Sequence, residues 1–210
     1  MGMPVILTGK SGSGKSRSCK NMVQDGQTFL IQCVKKPLPF KGKFEKSMVS
    51  TDANLIRVAM NKAVENGIKS IIIDDAGYIM TDRFMRNHRG LKGNAAYELY
   101  NDIADEIYFL IDSARALPDD VIVYFIFHEE MDEFGQYRIK TLGKLLNDKV
   151  CLEGMVTVCL RCQIIDGKHY FITNSDEGDL TKSPEEMFTD KLIENDLKAV
   201  DSAIRAYYEI

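Results

Sequence analysis

A run of eight residues near the start of the chain has the composition of a phosphate-binding loop. It matches the pattern GxxxxGKS without a mismatch and consists of Gly9, Lys10, Ser11, Gly12, Ser13, Gly14, Lys15 and Ser16. The glycines allow the backbone to curl so that successive N–H groups point at phosphate oxygens. In this pattern the lysine reaches the β- and γ-phosphates, and the serine hydroxyl binds Mg²⁺. The run therefore predicts a nucleotide site in which Lys15 stabilises the phosphates and Ser16 holds the metal.

A second anchor for Mg²⁺ is expected at the carboxyl end of a neighbouring strand. The apolar run at residues 70–73 ends at Asp74. A charged residue that ends a buried strand is costly unless it is paired with a cation or a hydrogen-bond donor. We therefore predict that Asp74 is the second metal ligand. The alternative is an aspartate that only caps a helix at the rim of the sheet.

Three further polar residues are candidates for the chemistry of the attacking water. Asp75 is the next residue in the chain and would lie beside the metal. His128 and Glu129 follow the apolar run 121–127, which predicts another buried strand. An acid can deprotonate or orient water, and His128 could contact the γ-phosphate. We predict that Lys15 and His128 act together with a base, for which Asp75 and Glu129 compete. The alternative is that these polar residues after the strands are ordinary surface residues.

The nucleotide expected in this site is ATP with Mg²⁺. Guanine-selective P-loop enzymes usually carry an NKxD segment. The nearest match in this chain is Asn174, Ser175 and Asp176, which lacks the lysine. This departure favours ATP over GTP.

The strands and helices that must position these residues alternate along most of the chain. Apolar or β-branched runs predict strands at residues 4–8, 28–33, 70–74, 121–127, 155–164 and 169–173. Helical spacing predicts a helix from residue 15, one capped by Asp52 and ending at Gly67, and others at 96–114, near 142–146 and around 193–208. The last two strands flank a hairpin turn signal, Asp166-Gly167. The pattern predicts an α/β fold over residues 1–210 as one domain: a mostly parallel sheet between helices, with a late antiparallel hairpin.

Composition and charge exclude some classes of function. The chain has 210 residues, of which 45% are hydrophobic and 28% charged, as in ordinary globular domains and unlike disordered chains. The net charge of −4 is not that of a polybasic nucleic-acid clamp.

Positive charge is concentrated in two segments, 35–46 and 83–92. The second contains Arg83, Arg86, Arg89 and Lys92, which we predict to contact DNA phosphates, although two solvated loops are the simpler alternative.

Cysteine usage and hydropathy predict the compartment. The five cysteines form an odd count without a secretory leader, which indicates reduced thiols and a cytoplasmic protein. Cys159 and Cys162 have CxxC spacing, but no second pair follows, so packing is favoured over zinc. No apolar stretch approaches the length of about 18 residues that spans a membrane.

The chain resembles a known family over nearly its whole length. The segments that carry the resemblance are GKSGSGKS, IIIDDAGYIM, ALPDDVIVYFIFHEE, KTLGKLLNDKVCLEGMVTVCLR, GKHYFIT, KSPEEMF and ENDLKAVDSAIRAYY. They are similar to those of small phage-encoded P-loop ATPases of the AAA-domain group, which includes the Sak-type, RecA-core-like recombination proteins.

This resemblance implies a RecA-like P-loop core that binds ATP and Mg²⁺. It also implies a role in single-stranded DNA recombination or annealing in the host-cell cytoplasm, assembly into a ring or filament, and a single-strand-binding protein as a further partner. By position, Lys15, Ser16 and Asp74 match the nucleotide and metal residues of that group, and His128 matches its sensor. The chain departs from bacterial RecA because no glutamate directly follows the second strand, 28–33, where RecA places its catalytic base.

Two other functions are compatible with the sequence. A nucleotide kinase also carries an amino-terminal P-loop at about this length, and its lid could use Arg83, Arg86 and Arg89 to clamp a second substrate. A nucleotide-gated binding protein would bind ATP and hydrolyse almost none. ATP turnover that is stimulated by single-stranded DNA, and not by nucleoside monophosphates, separates the leading hypothesis from both.

A second cation near the transferred phosphate is also expected. Phosphoryl-transfer enzymes commonly use one against transition-state charge, and it contributes about 10³ to 10⁵ in rate. The loop itself supplies only Lys15 with certainty. RecA-like cores place inter-subunit elements late in the chain, so we predict that Lys140 and Arg161 complete the site of a neighbouring subunit.

Overall fold

One eight-stranded sheet and a separate two-stranded hairpin organise the protein. The computed structural model describes residues 1–23, 26–143, 146, 150–175 and 179–210. The strands are β1 (Met3–Gly9), β2 (Thr28–Gln32), β3 (Lys46–Val49), β4 (Ser70–Asp74), β5 (Ile122–Ile126), β6 (Glu129–Met131), β7 (Tyr137–Ile139), β8 (Val158–Ile165), β9 (Lys168–Ile172) and β10 (Leu192–Glu194). The α-helices are α1 (Ala53–Glu65), α2 (Gly77–Asn87), α3 (Asn94–Arg115) and α4 (Leu197–Tyr208), and a 3₁₀ helix covers Ser16–Met22.

The order of the strands brings the residues with chemistry to one edge of the sheet. The order is β10-β9-β8-β1-β5-β4-β2-β3, with parallel pairing from β8 to β3 and antiparallel pairing among β8, β9 and β10. The strand that leads into the glycine-rich loop, β1, and the strand that ends at Asp74, β4, therefore flank β5. Parallel strands have their carboxyl ends on the same side. Gly9, Asp74 and the residues after β5 consequently meet there.

Both faces of the sheet are covered, which is why its central strands are continuous apolar runs. On one face, Ile6, Ile71 and Ile73 pack with side chains of α1, α2 and α3. On the other face, Ile72 packs with Leu197 and other side chains of α4 and of the 3₁₀ helix. Strand side chains alternate between the two faces, so each strand contributes to both cores. The sheet is thereby held rigidly between two helical layers.

Helix α4 is fixed to the sheet by a buried polar cluster around Asp201, which is 2% exposed. Its carboxylate accepts hydrogen bonds from Ser70 Oγ at 2.7 Å and Tyr124 OH at 2.9 Å. Arg205 Nε lies 2.8 Å from the second oxygen. Arg205 also donates to the backbone carbonyls of Lys69 and Asp120. A buried carboxylate that is paired and fully hydrogen-bonded is tolerated, and its removal is costly.

The structure confirms the predicted α/β class, the mostly parallel sheet and the late antiparallel hairpin. Asp52 caps α1 as predicted, because its carboxylate accepts hydrogen bonds from the N–H groups of Asn54 and Leu55. No helix in the described part of the chain is both long and apolar enough to cross a membrane.

Several local predictions were wrong. The chain after Lys15 forms a 3₁₀ helix and not an α-helix. The segment 83–92 is not a loop throughout, since its first residues belong to α2. The β6–β7 hairpin was not predicted from the sequence. The helix predicted near 142–146 falls largely outside the described residues.

Candidate active site

The loop between β1 and the 3₁₀ helix has the backbone conformation that its glycines predict. Gly12 and Gly14 have φ angles of +79° and +109°, which side chains rarely adopt. At Gly14 a Cβ would also lie only 2.7 Å from Nδ1 of His169, so the position has no room for one. His169 contacts the loop again through Nδ1, 2.9 Å from the carbonyl of Ser13. The β8–β9 hairpin therefore packs against the loop and supports its conformation.

Two features of this loop fit a bound polyphosphate. The hydroxyl of Ser13 is buried and has no hydrogen-bond partner in the described structure, as expected for a group that serves a ligand. The ammonium of Lys15 donates to the carbonyls of Gly9 and Lys10 at 2.7 and 2.8 Å. Burial lowers the pKa of Lys15, although nearby acidic groups oppose this shift. Phosphate oxygens would offer this buried ammonium a negatively charged partner.

Ser16 and Asp74, the two predicted metal ligands, are in direct contact. The Ser16 hydroxyl donates to a carboxylate oxygen of Asp74 at 2.8 Å. Asp74 ends β4 and is only 2% exposed. Burial raises the pKa of Asp74, and the adjacent Asp75 carboxylate raises it further. A hard cation that prefers oxygen ligands, such as Mg²⁺, would compensate this buried charge, so these residues fit the metal.

Asp75 has the geometry expected of a catalytic carboxylate. It is one of the few non-glycine residues with a positive φ, +60°, and its side chain is 3% exposed. Such a conformation costs about 1–3 kcal/mol, and strain of this kind is concentrated at functional sites. Burial by itself would raise the pKa of Asp75, but hydrogen bonds from His128 and Lys36 lower it on balance. The residue is therefore held in its ionised form, as a carboxylate.

His128 joins the loop to Asp75. Its Nδ1 lies 3.5 Å from the ammonium of Lys15, and its Nε2 lies 3.4 Å from a carboxylate oxygen of Asp75. A neutral ring that carries its proton on Nε2 satisfies both contacts, since Nδ1 then accepts and Nε2 donates. This position at the end of β5 is the one predicted for a residue that contacts the γ-phosphate.

Sequence reasoning missed Lys36, which forms an ion pair with Asp75. The lysine lies four residues beyond Gln32, the last residue of β2. Partial burial alone would lower the pKa of Lys36, but the hydrogen bond to Asp75 and the surrounding acids raise it on balance. No signal in the sequence indicated this pair, because it depends on β2 lying beside β4 in the sheet and no local pattern specifies that order.

The loop, Lys36, Asp75 and His128 line one open cavity of about 480 Å³. Arg17, Pro37, Pro39 and His169 complete its walls. Cations and hydrogen-bond donors therefore surround this space, and Ser16, one of the two predicted metal ligands, also lines it. A cavity of this size accommodates a ligand of nucleotide dimensions.

Glu129, the competing base, is already occupied. Its two carboxylate oxygens accept hydrogen bonds from Arg161 Nε at 2.9 Å and from the terminal NH2 nitrogen at 3.2 Å. Arg161 also stacks on the ring of Tyr137, 3.5 Å from its centre, and both charged side chains are almost fully buried. The structure therefore favours Asp75 over Glu129 as the base. Arg161 is buried and ion-paired within this chain, and its inter-subunit role stays a prediction.

Lys140 is exposed, in contrast to Arg161. Its backbone N–H donates to the carbonyl of His128 at 2.8 Å, which anchors the end of β7 beside the site. Its side chain lines a second cavity of about 400 Å³ together with Ser11, Tyr78 and His128.

The basic segment 83–92 divides into two parts. Arg83 lies 3.2 Å from Glu106, and Arg86 lies 2.7 Å from Asp82, so both form ion pairs within the subunit. They line a polar cavity of about 650 Å³ between α1 and α2. Arg89 and Lys92 lie beyond the end of α2 and are exposed. The two arginines of α2 are therefore each paired with an acid of the same chain, and the side chain of Arg86 is still 73% exposed.

Comparison with known proteins gives three results. A family model described as AAA domain matches residues 1–184. No curated protein matches the chain. Among solved structures, the chain is similar to a KaiC-like protein from the hyperthermophilic archaeon Pyrococcus horikoshii, with 12% sequence identity and a TM-score of 0.46 over 91% of this chain and 88% of that one.

Proposed function

The chain belongs to the AAA-domain family of P-loop ATPases, and from this premise we propose that it hydrolyses ATP to ADP and phosphate with Mg²⁺ as cofactor. The observation that carries the proposal is the convergence of Lys15, Ser16, Asp75 and His128 on one cavity, with Asp74 hydrogen-bonded to Ser16. A phosphate-binding loop alone needs only the first two. The buried, strained carboxylate beside them is what hydrolysis requires in addition.

Each residue has a defined task in this reaction. The loop and Lys15 bind the β- and γ-phosphates, and His128 contacts the γ-phosphate. Asp75 accepts a proton from the attacking water, whose oxygen bonds to the γ-phosphorus. The bond from that phosphorus to the bridging oxygen breaks, ADP leaves with the bridging electrons, and Asp75 returns its proton to solvent. Mg²⁺ held by Ser16 and Asp74 supplies charge neutralisation on the phosphate oxygens.

ATP is proposed over GTP because the chain lacks the NKxD segment of guanine-selective enzymes. Asn174 and Ser175 lie in the described structure, where Asn174 is engaged with Ser183 at 2.8 and 3.0 Å. Asp176 lies outside the described residues. An asparagine occupied in this way supports the proposal that this segment does not read a guanine base.

We further propose that the ATPase acts on single-stranded DNA in phage recombination or annealing, in the cytoplasm of the host cell. The family resemblance motivates this role, and the exposed Arg89 and Lys92 support it as phosphate contacts. They follow α2, which begins two residues after Asp75, so the state of the site can influence their position. Copies of the chain would assemble as a ring or filament, with Lys140 at the subunit interface and a single-strand-binding protein as a partner.

The test is phosphate release from Mg-ATP by the full chain, with and without single-stranded DNA. We expect turnover that rises with DNA and is lost in Lys15→Ala. Stimulation by nucleoside monophosphates, with a phosphorylated product, would instead establish a kinase. Tight ATP binding with no phosphate release under any of these conditions would establish a nucleotide-gated binding protein.

A further inference from the structure

We propose that Lys36 is a cation that each subunit supplies to the γ-phosphate of its own ATP, and that its ion pair with Asp75 is the resting arrangement of this lysine. The assignment rests on the proposed ATPase function and deepens it. It locates within one chain the second cation that the sequence analysis had sought in a neighbouring subunit. In this arrangement ATP binding draws Lys36 away from Asp75, so the catalytic carboxylate loses its ion pair in the same step.

The backbone around Lys36 is positioned by the sheet. Gln32, the last residue of β2, pairs with Asp74 at the end of β4. The next backbone N–H, that of Cys33, donates to the carbonyl of Asp74 at 3.0 Å. The side-chain amide of Gln32 then donates to the carbonyl of Lys36 at 3.1 Å. These contacts hold the start of the segment against the strand that carries both acids.

The rest of the segment is anchored as well. Phe44 is 2% exposed, and it belongs to the core on the α4 side of the sheet. Leu38 and Phe40 are partly buried against the same core. Pro37 and Pro39 restrict the backbone and form part of the cavity wall. The segment therefore holds Lys36 at the mouth of the site.

The side chain of Lys36 is partly exposed to solvent, although its backbone is anchored. It is 43% exposed, whereas the carboxylate that it contacts is 3% exposed. Lys36 lines the same cavity as Lys15 and Ser16, so phosphates bound in that cavity would lie near the Lys36 side chain. A γ-phosphate offers three charged oxygens and competes with Asp75 for this ammonium. When Lys36 turns to the phosphate, Asp75 loses one of its two partners and becomes available to water.

This competition predicts a difference between ATP and ADP. ADP lacks the γ-phosphate, so it gives Lys36 no reason to leave Asp75. A charge-assisted hydrogen bond contributes about 1.5–3 kcal/mol, which corresponds to about 10- to 100-fold in affinity. Because Lys36 must give up Asp75 in exchange, we expect about tenfold, the lower end of this range.

The experiment measures the dissociation constants of Mg-ATP and Mg-ADP for the full chain without DNA. Lys36→Ala should weaken ATP binding about tenfold and leave ADP binding unchanged, and turnover should fall by about 10³. Lys36→Arg should preserve most of the preference for ATP. The matched control is Lys35→Ala, which removes the neighbouring exposed lysine and should bind both nucleotides as the parent does. Thermal melting confirms that each variant is folded.

The outcomes separate the two proposals. If Lys36→Ala loses turnover but keeps the parent's ratio of ATP to ADP affinity, the lysine only positions Asp75 and the assignment is overturned. Parent-like turnover and affinities in Lys36→Ala also overturn it. If the parent binds neither nucleotide, or Lys15→Ala binds ATP as tightly as the parent, the ATPase proposal itself fails.

Discussion

The two acids that compete for the role of catalytic base should separate cleanly when each is changed to its amide. We predict that Asp75→Asn loses hydrolysis but not stability, and that Glu129→Gln loses stability but not hydrolysis. Both substitutions keep the size of the side chain and remove its charge. The different outcomes follow from what surrounds each carboxylate.

For Asp75→Asn, the expected loss is that of a general base, about 10²- to 10⁴-fold in turnover. This corresponds to about 3–5 kcal/mol in the activation free energy. The stability of the fold should change little, because the ion-pair partner Lys36 is half exposed and can be solvated. Asparagine is also among the side chains that adopt a positive φ most readily, and Asp75 has φ +60°. ATP binding should be retained.

For Glu129→Gln, the structure predicts a loss of stability. Arg161 is 8% exposed at its side chain and would lose a bidentate carboxylate. Breaking a buried pair costs about 3–5 kcal/mol. The amide oxygen can still accept one hydrogen bond, and Asp179 remains 3.6 Å from Arg161, so the lower end, about 3 kcal/mol, applies. In a chain of this length that lowers Tm by about 6–12 °C.

The assay combines thermal melting with phosphate release at saturating Mg-ATP, well below the Tm of either variant. ATP titrations show that the sites remain loaded. The assignment of Asp75 as the base is refuted if Asp75→Asn turns over like the parent while Glu129→Gln, still folded, loses more than about 10²-fold of its activity. The base would then be Glu129, and the ion pair with Arg161 would have to open during turnover.

Three further predictions concern the loop, the DNA contacts and the fold. Asp74→Asn should raise the Mg²⁺ concentration required for half-maximal turnover, whereas Lys15→Ala should abolish ATP binding at any Mg²⁺ concentration; an unchanged magnesium titration would place the metal elsewhere. Replacing both Arg89 and Lys92 by Ala should flatten the salt dependence of single-stranded DNA binding by about 1.4 units, near 0.7 per contact, and the ion-paired Arg83 and Arg86 should contribute less. Equal slopes for the parent and the Arg89/Lys92 double variant would remove this segment from the DNA interface. Asp201→Ala should destabilise the fold by about 3–5 kcal/mol in denaturant unfolding because it leaves Arg205 without its carboxylate, and the exposed Ser202→Ala is the control; a loss below about 1 kcal/mol would show that the cluster is dispensable.

The features that the sequence alone determined are those set by neighbouring residues. The phosphate-binding loop needs glycines and a lysine at fixed spacing, and its conformation follows from those residue types wherever a strand leads into it. The continuous apolar run that ends at Asp74 identifies a buried strand because only such a strand lacks a polar face. Asp52 caps α1 through bonds to the next few N–H groups. In each case the physical cause lies within one segment of chain.

Tertiary structure decided which charges meet. Parallel pairing of β2 with β4 brings Lys36 to Asp75, and β5 between β1 and β4 places His128 between Asp75 and Lys15. The same packing pairs Glu129 with Arg161 in a buried ion pair that their positions in the sequence did not indicate. These contacts join residues that are far apart along the chain, and no local periodicity encodes them. A charged side chain becomes a base, a clamp or a structural ion pair according to the partner that the sheet places beside it, because burial makes an unpaired charge too costly to keep.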